Sequence, residues 1–169
     1  ATAAARDRLP AIKTVIVGGA ESARADYAQT LRERVRSLGL DDHVVFAGSQ
    51  SRVAEIYACG HVLVSGNRAK PEAFGRSMAE ALAMGCPVIA TRFGGALDIV
   101  REGVNGWLVE PGDAAQLADR LVEASRHTLT GLREDALARF SLDQMVNKTL
   151  AVYEEVLAAR RTEKKGEPR

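Results

Sequence analysis

Residues 62–113 read VLVSGNRAKPEAFGRSMAEALAMGCPVIATRFGGALDIVREGVNGWLVEPGD. Three short apolar runs punctuate the stretch: VLVS at 62–65, PVIAT at 87–91 and GWLV at 106–109. Between the first two, residues 76–84 follow a helical pattern that Gly85 ends. Between the second and third, Gly94–Gly95 turns into a short helix carrying Leu97, Ile99 and Val100. A strand that is apolar at consecutive positions needs cover on both faces. That is the setting of a parallel sheet with crossover helices.

The same alternation continues in both directions. Toward the amino terminus, AIKTVIVGG at 11–19 reads as a buried parallel strand entering a tight turn. Ala23, Tyr27, Leu31, Val35 and Leu38 mark a helix over 22–38 that stops at Gly39, and HVVFAG at 43–48 is a second strand. Asp41–Asp42 between them is a turn. A short helix is expected over 52–58, and residues 1–9 read as the back end of another. Toward the carboxyl terminus, Asp113 is placed to cap a helix over 114–126. Ser141 and Asp143 are cap candidates for a helix over 142–160, whose Met145, Leu150, Val152, Tyr153, Val156 and Leu157 fall mostly on one side. Residues 161–169 are a charged tail, expected to fray.

The expected fold is therefore α/β, a doubly wound parallel sheet with helices on both faces, formed by residues 1–160 as one domain. Such sheets bind ligands beyond the carboxyl ends of their strands. The chemistry is expected in the loops after residues 17, 46, 65 and 91.

Composition narrows the function. The net charge of +1 gives no bulk attraction to nucleic acid. No apolar run approaches the roughly 20 residues that a membrane-spanning helix needs. Cys59 and Cys86 lack metal-ligand spacing and read as small buried hydrophobes. His43, His61 and His127 are scattered, without the spacing of a ligand set, and no carboxylate cluster suits Mg²⁺, so neither metal nor cofactor is expected. Arg32, Arg34 and Arg36 alternate with Glu33 and read as a solvated helix face.

The segment 70–87 holds the richest chemistry. Glu72 lies in the loop before a helix, Gly75 stands at its start, and Glu80 follows within it. A helix start offers unpaired amides and partial positive charge, so the amides of Gly75, Arg76 and Ser77 suit a diphosphate. Glu80 suits two vicinal ribose hydroxyls, and Glu72 a sugar beyond the phosphates. The plainer alternative leaves both glutamates solvated on an exposed helix face.

Residues 71–113 resemble the signature of the group 1 retaining glycosyltransferases of the GT-B fold. Glu72 and Glu80 stand at the two ends of an E-x7-E pattern with Phe74–Gly75 inside it. Met84 to Val88, Gly94–Gly95, Gly103, Gly106, Pro111 and Asp113 continue the pattern, and Asp98 replaces its usual glutamate. The resemblance extends over about residues 11–157. It implies that the chain is a donor-binding domain taking a nucleotide diphosphate sugar as substrate. Glu72 would be catalytic, contacting the transferred sugar. Ala73, Phe74, Gly75, Arg76 and Ser77 would line sugar and phosphates, and Glu80 would hold the ribose. Gly18 and Gly19 would border the pocket, with Ser49 and Gln50 against the base. The resemblance also implies partners outside these 169 residues: a preceding strand–helix segment with an Arg/Lys pair for the diphosphate, and an amino-terminal lobe for a glycan or lipid-linked acceptor. It further implies a cytoplasmic protein, free or peripheral at the inner face of the membrane.

Other classes stay open at this point. A nucleotide-sugar epimerase of similar fold would bind the same donor but need its own acid and base. A non-catalytic α/β binding module would show no nucleotide affinity. Residues 17–20, VGGA, resemble part of a dinucleotide-binding turn but lack its third glycine.

Overall fold

The computed structural model describes residues 1–19, 25–67 and 72–165. Ala20, Ala23, Lys70 and Pro71, which entered the sequence reading, lie outside them. Strands and helices alternate: α1 (Thr2–Ala5), β1 (Thr14–Val17), α2 (Ala25–Ser37), β2 (Val44–Gly48), α3 (Val53–Cys59), β3 (Leu63–Ser65), α4 (Arg76–Ala83), β4 (Val88–Thr91), α5 (Ala96–Ile99) and β5 (Gly106–Val109). Three helices follow: α6 (Ala114–Ala124), α7 (Leu132–Phe140) and α8 (Leu142–Lys165). Every strand pairing is parallel.

The core explains the consecutive apolar runs. Successive strand residues point to opposite faces. Val88, Ala90 and Leu108 pack on one side with Met78, Ala81 and Leu82 of α4 and with Leu132 and Ala136 of α7. Ile89, Trp107 and Val109 pack on the other with Leu117, Leu121 and Ala124 from the α6 side. β4 and β5 are buried along their whole length. Each fully buried Val, Leu, Ile or Met among them contributes about 1.5–3 kcal/mol by leaving water. The Asp113 side chain accepts the Gln116 amide at 2.8 Å, capping α6 as the sequence requires.

Several expectations are corrected. The strands do not pair as one sheet. β1 pairs with β2, and β3, β4 and β5 form a separate three-stranded sheet in that order. Residues 11–19 are not a buried strand. Only Thr14–Val17 is extended, and Val15 is 51% exposed because β1 pairs with β2 alone and joins neither core cluster. Helix α8 runs from Leu142 to Lys165. Its apolar residues gather on one side, but Met145, Leu150, Val152 and Tyr153 stay exposed. α7 is unforeseen. It starts from Gly131, has little amphipathic signal, and buries only Leu132 and Ala136. Cys86 is buried as expected, whereas Cys59 is exposed at the end of α3. Arg32 does more than face solvent, since its guanidinium lies 4.5 Å over the Phe46 ring. Among the described residues, no helix is long and apolar enough to cross a membrane.

Candidate functional site

β3 ends at Ser65, whose carbonyl accepts the Thr91 hydroxyl at 3.1 Å, so the ends of β3 and β4 are tied together. Beyond the following loop, Gly75 opens α4 in a left-handed conformation, φ 91° and ψ 57°. A Cβ at Gly75 would lie 2.1 Å from Cε of the buried Met78. The positive φ is what favours glycine there, while the Met78 methyl, the end of a flexible side chain, would have to move for a Cβ. No side chain caps α4. The Gly75 carbonyl takes the amides of Met78 and Ala79 at 3.0 and 3.3 Å. Among the described residues no acceptor meets the amides of Arg76 and Ser77, which lie at the positive end of the helix.

Glu72 is exposed and held from two directions. Its carbonyl accepts the Gly95 amide at 2.8 Å, and its Oε2 accepts Asn67 Nδ2 at 3.0 Å. Gly95 is required at that contact. A Cβ there would stand 2.5 Å from the Phe74 carbonyl oxygen. Ala73 is exposed beside Glu72. Phe74 is 44% exposed and meets Phe140 edge-on, centroids 5.6 Å apart. Glu80 is exposed on α4, and its Oε2 accepts the Tyr57 hydroxyl of α3 at a long 3.4 Å. Burial, then the Glu80 charge and hydrogen bond, push the Tyr57 phenol above its ordinary range. Tyr57 therefore stays a neutral donor toward that carboxylate at physiological pH.

The other candidates gather at the ends of β1 and β2. The Gly18 amide donates to the Gly48 carbonyl at 2.8 Å. A Cβ at Gly19 would lie 3.5 Å from Ser49 Cβ, so these two residues adjoin. Gln50 Nε2 donates to the Ala47 carbonyl at 2.6 Å. The result is two groups: Gly18, Gly19, Ser49 and Gln50 in one, and residues 72–77 with Glu80 in the other. No hydrogen bond or ion pair joins the groups among the described residues. His43 Nδ1 meets the carbonyl of Ile12, 31 residues away, and His127 Nδ1 meets the carbonyl of Glu123, one helical turn back.

Sequence reasoning misses Asn67, Tyr57 and Phe140. Tyr57 and Phe140 carry only the signal of helix-packing aromatics. Asn67 sits in a loop, where no periodicity marks it.

Parallel strands joined by helices, with a glycine-led helix start after β3, define an α/β domain of the class that places its sites at the carboxyl ends of its strands. This chain belongs to the family described as glycosyl transferases group 1, which matches residues 1–136. A D-inositol 3-phosphate glycosyltransferase of Acidothermus cellulolyticus is 35% identical over 159 residues, which is 89% of this chain and 34% of that protein. Anabaena Alr3699/HepE in complex with UDP has a TM-score of 0.76 at 31% identity, covering 88% of this chain and 44% of that one. The same protein is also solved with UDP-glucose. A glycosyltransferase from Rickettsia africae has a TM-score of 0.80 at 28% identity, covering 92% of this chain and 43% of that one. The chain thus spans about a third of the Acidothermus relative and under half of the two solved proteins.

Proposed function

We propose that this chain is the donor-binding lobe of a retaining glycosyltransferase. The whole protein would move a sugar from a nucleotide diphosphate sugar to a hydroxyl of a glycan or lipid-linked acceptor. One observation carries the reading: Glu72 precedes the uncapped start of α4 and Glu80 follows within the helix, each with one carboxylate oxygen already engaged. The complexes of the Anabaena relative with UDP and UDP-glucose support a donor of this kind.

Each residue has a task in this reading. The amides of Gly75, Arg76 and Ser77 receive the diphosphate and stabilise the negative charge that grows on it as the bond to the sugar breaks. Glu72 faces the sugar, which gains positive character in that step. Glu80 accepts the ribose hydroxyls, and Ser49 and Gln50 lie against the base. Retention rests on the family pattern and is read from the anomer of the product.

The lobe needs partners in this reading. A further parallel strand would pair with the free edges of β1 and β3 and complete one sheet. A second lobe would bring the acceptor and exclude water. The relatives' greater length supports this layout. This chain alone is expected to bind donor without transferring it.

The test is a thermal-shift screen against UDP, GDP and ADP and their hexose conjugates, run on this chain and on the full-length protein, with Glu80→Ala beside each. A shift with one base is expected, weakened by about 1–3 kcal/mol in Glu80→Ala. Affinity unchanged by Glu80→Ala would sink the ribose assignment. A full-length protein that ignores every nucleotide would sink the donor reading in favour of a non-catalytic module. Donor turned over to an epimer without transfer would mark an epimerase.

A further inference from the structure

We propose that Asn67 is a positioning residue for Glu72, dedicating one carboxylate oxygen to the protein and the other to the donor sugar. The proposal rests on the donor-lobe reading above. Asn67 lies two residues beyond the end of β3, a strand end tied to β4 through Thr91. Its amide is half-buried, and Nδ2 stands 3.0 Å from Glu72 Oε2. An ionised carboxylate can only accept, so the amide must present its nitrogen and not its oxygen.

Glu72 needs such a partner. Its main chain is fixed by the Gly95 amide, but its side chain is exposed, and a free glutamate loses rotamer freedom when it is held. Asn67 makes the only hydrogen bond to that carboxylate among the described residues. Ordering the carboxylate through Oε2 before the donor arrives keeps Oε1 for the sugar and lowers the entropy lost on engaging it. An aspartate at 67 would have the same size but would offer an acceptor and a like charge instead of a donor.

The experiment is a double-mutant cycle in the full-length protein. Titration calorimetry measures Kd for UDP and UDP-glucose, or for the nucleotide and hexose conjugate that the screen selects. Asn67→Ala is expected to weaken the sugar nucleotide about fivefold and to leave the bare diphosphate unchanged. The isosteric Asn67→Asp is expected to weaken it further. In a Glu72→Ala background, Asn67→Ala is expected to do nothing more, because a positioning residue acts only through its client. An undiminished effect in that background, or equal losses for UDP and UDP-glucose, would overturn the proposal. A distinct result, Glu72→Ala binding UDP-glucose as the unchanged protein does, would overturn the Glu72 reading itself.

Discussion

Gly95 shows how much a single missing side chain can organise. It lies more than twenty positions after Glu72 in the chain, yet its amide holds the Glu72 carbonyl and its bare α-carbon admits the Phe74 backbone. The atoms that a methyl group would meet are main-chain atoms at 2.5–2.9 Å, which cannot rotate away. Gly95→Ala is therefore expected to cost about 1–3 kcal/mol by overpacking and to shift the loop that carries Glu72. Urea denaturation checks the first effect, and a loss of sugar-nucleotide over diphosphate affinity checks the second. An unchanged midpoint would mean that the loop does not rest on Gly95. In the sequence Gly94–Gly95 reads as a turn. Its clamp on residues 72–74 is invisible there, because a motif says which torsions are available and not which distant backbone passes by.

At the level of elements, β5 and α6 are joined by charge as well as by apolar packing. Trp107 Nε1 donates to Glu123 Oε1 at 2.9 Å, and Arg120 donates to the other oxygen of the same carboxylate. Arg120 also reaches Glu102, whose Oε2 accepts the Leu108 amide at 2.8 Å. The Arg120 hydrogen bond above all, with help from Trp107, holds the Glu123 carboxyl below its ordinary range. A carboxyl whose pKa is lower in the folded chain stabilises the fold above its unfolded value of about 4.3. That stabilisation is lost as pH falls through the folded value. Acid is therefore expected to destabilise the β5–α6 contact, seen as a change in Trp107 fluorescence, and Glu123→Gln is expected to flatten this part of the acid profile. Equal acid dependence in protein and variant would remove Glu123 from the account. The expected cap of α6 and the unforeseen α7 make a contrast at the same scale. Asp113 announces its helix by a local side-chain bond, while α7 forms where packing of Leu132 and Ala136 onto α4 outweighs a weak pattern.

Across the whole molecule, order is unevenly distributed. β4 and β5 are covered on both faces, whereas Val64 of β3 and Val15, Ile16, Val17 and Val45 on the β1–β2 pair remain exposed. α1 packs on α6, with Ala5 fully buried and Arg8 paired to Asp119 at 2.7 Å. Few buried contacts mean a low free energy of local opening. Hydrogen exchange is expected to be faster at amides 14–17 and 44–48 than at 88–91 and 106–109. Equal protection would mean that the open face of β1 and β2 is covered in solution. In the full-length protein the difference is expected to shrink, if a further strand closes the free edges.

The sequence by itself determined the kinds and order of the elements other than α7, the parallel α/β class, and the helix that Gly75 opens, with Glu72 in the loop before it and Glu80 within it. Those follow from periodicity and from glycine and cap chemistry, which act within a few residues. Tertiary structure alone decided that the strands form two sheets, that β1 is exposed, and that α7 lies beneath the sheet with α4. It also decided the partners of the two glutamates: Asn67 across a loop, and Tyr57 at a separation of 23 residues on another helix. A hydrogen bond between elements depends on how their faces meet, and no local pattern of residues encodes that meeting.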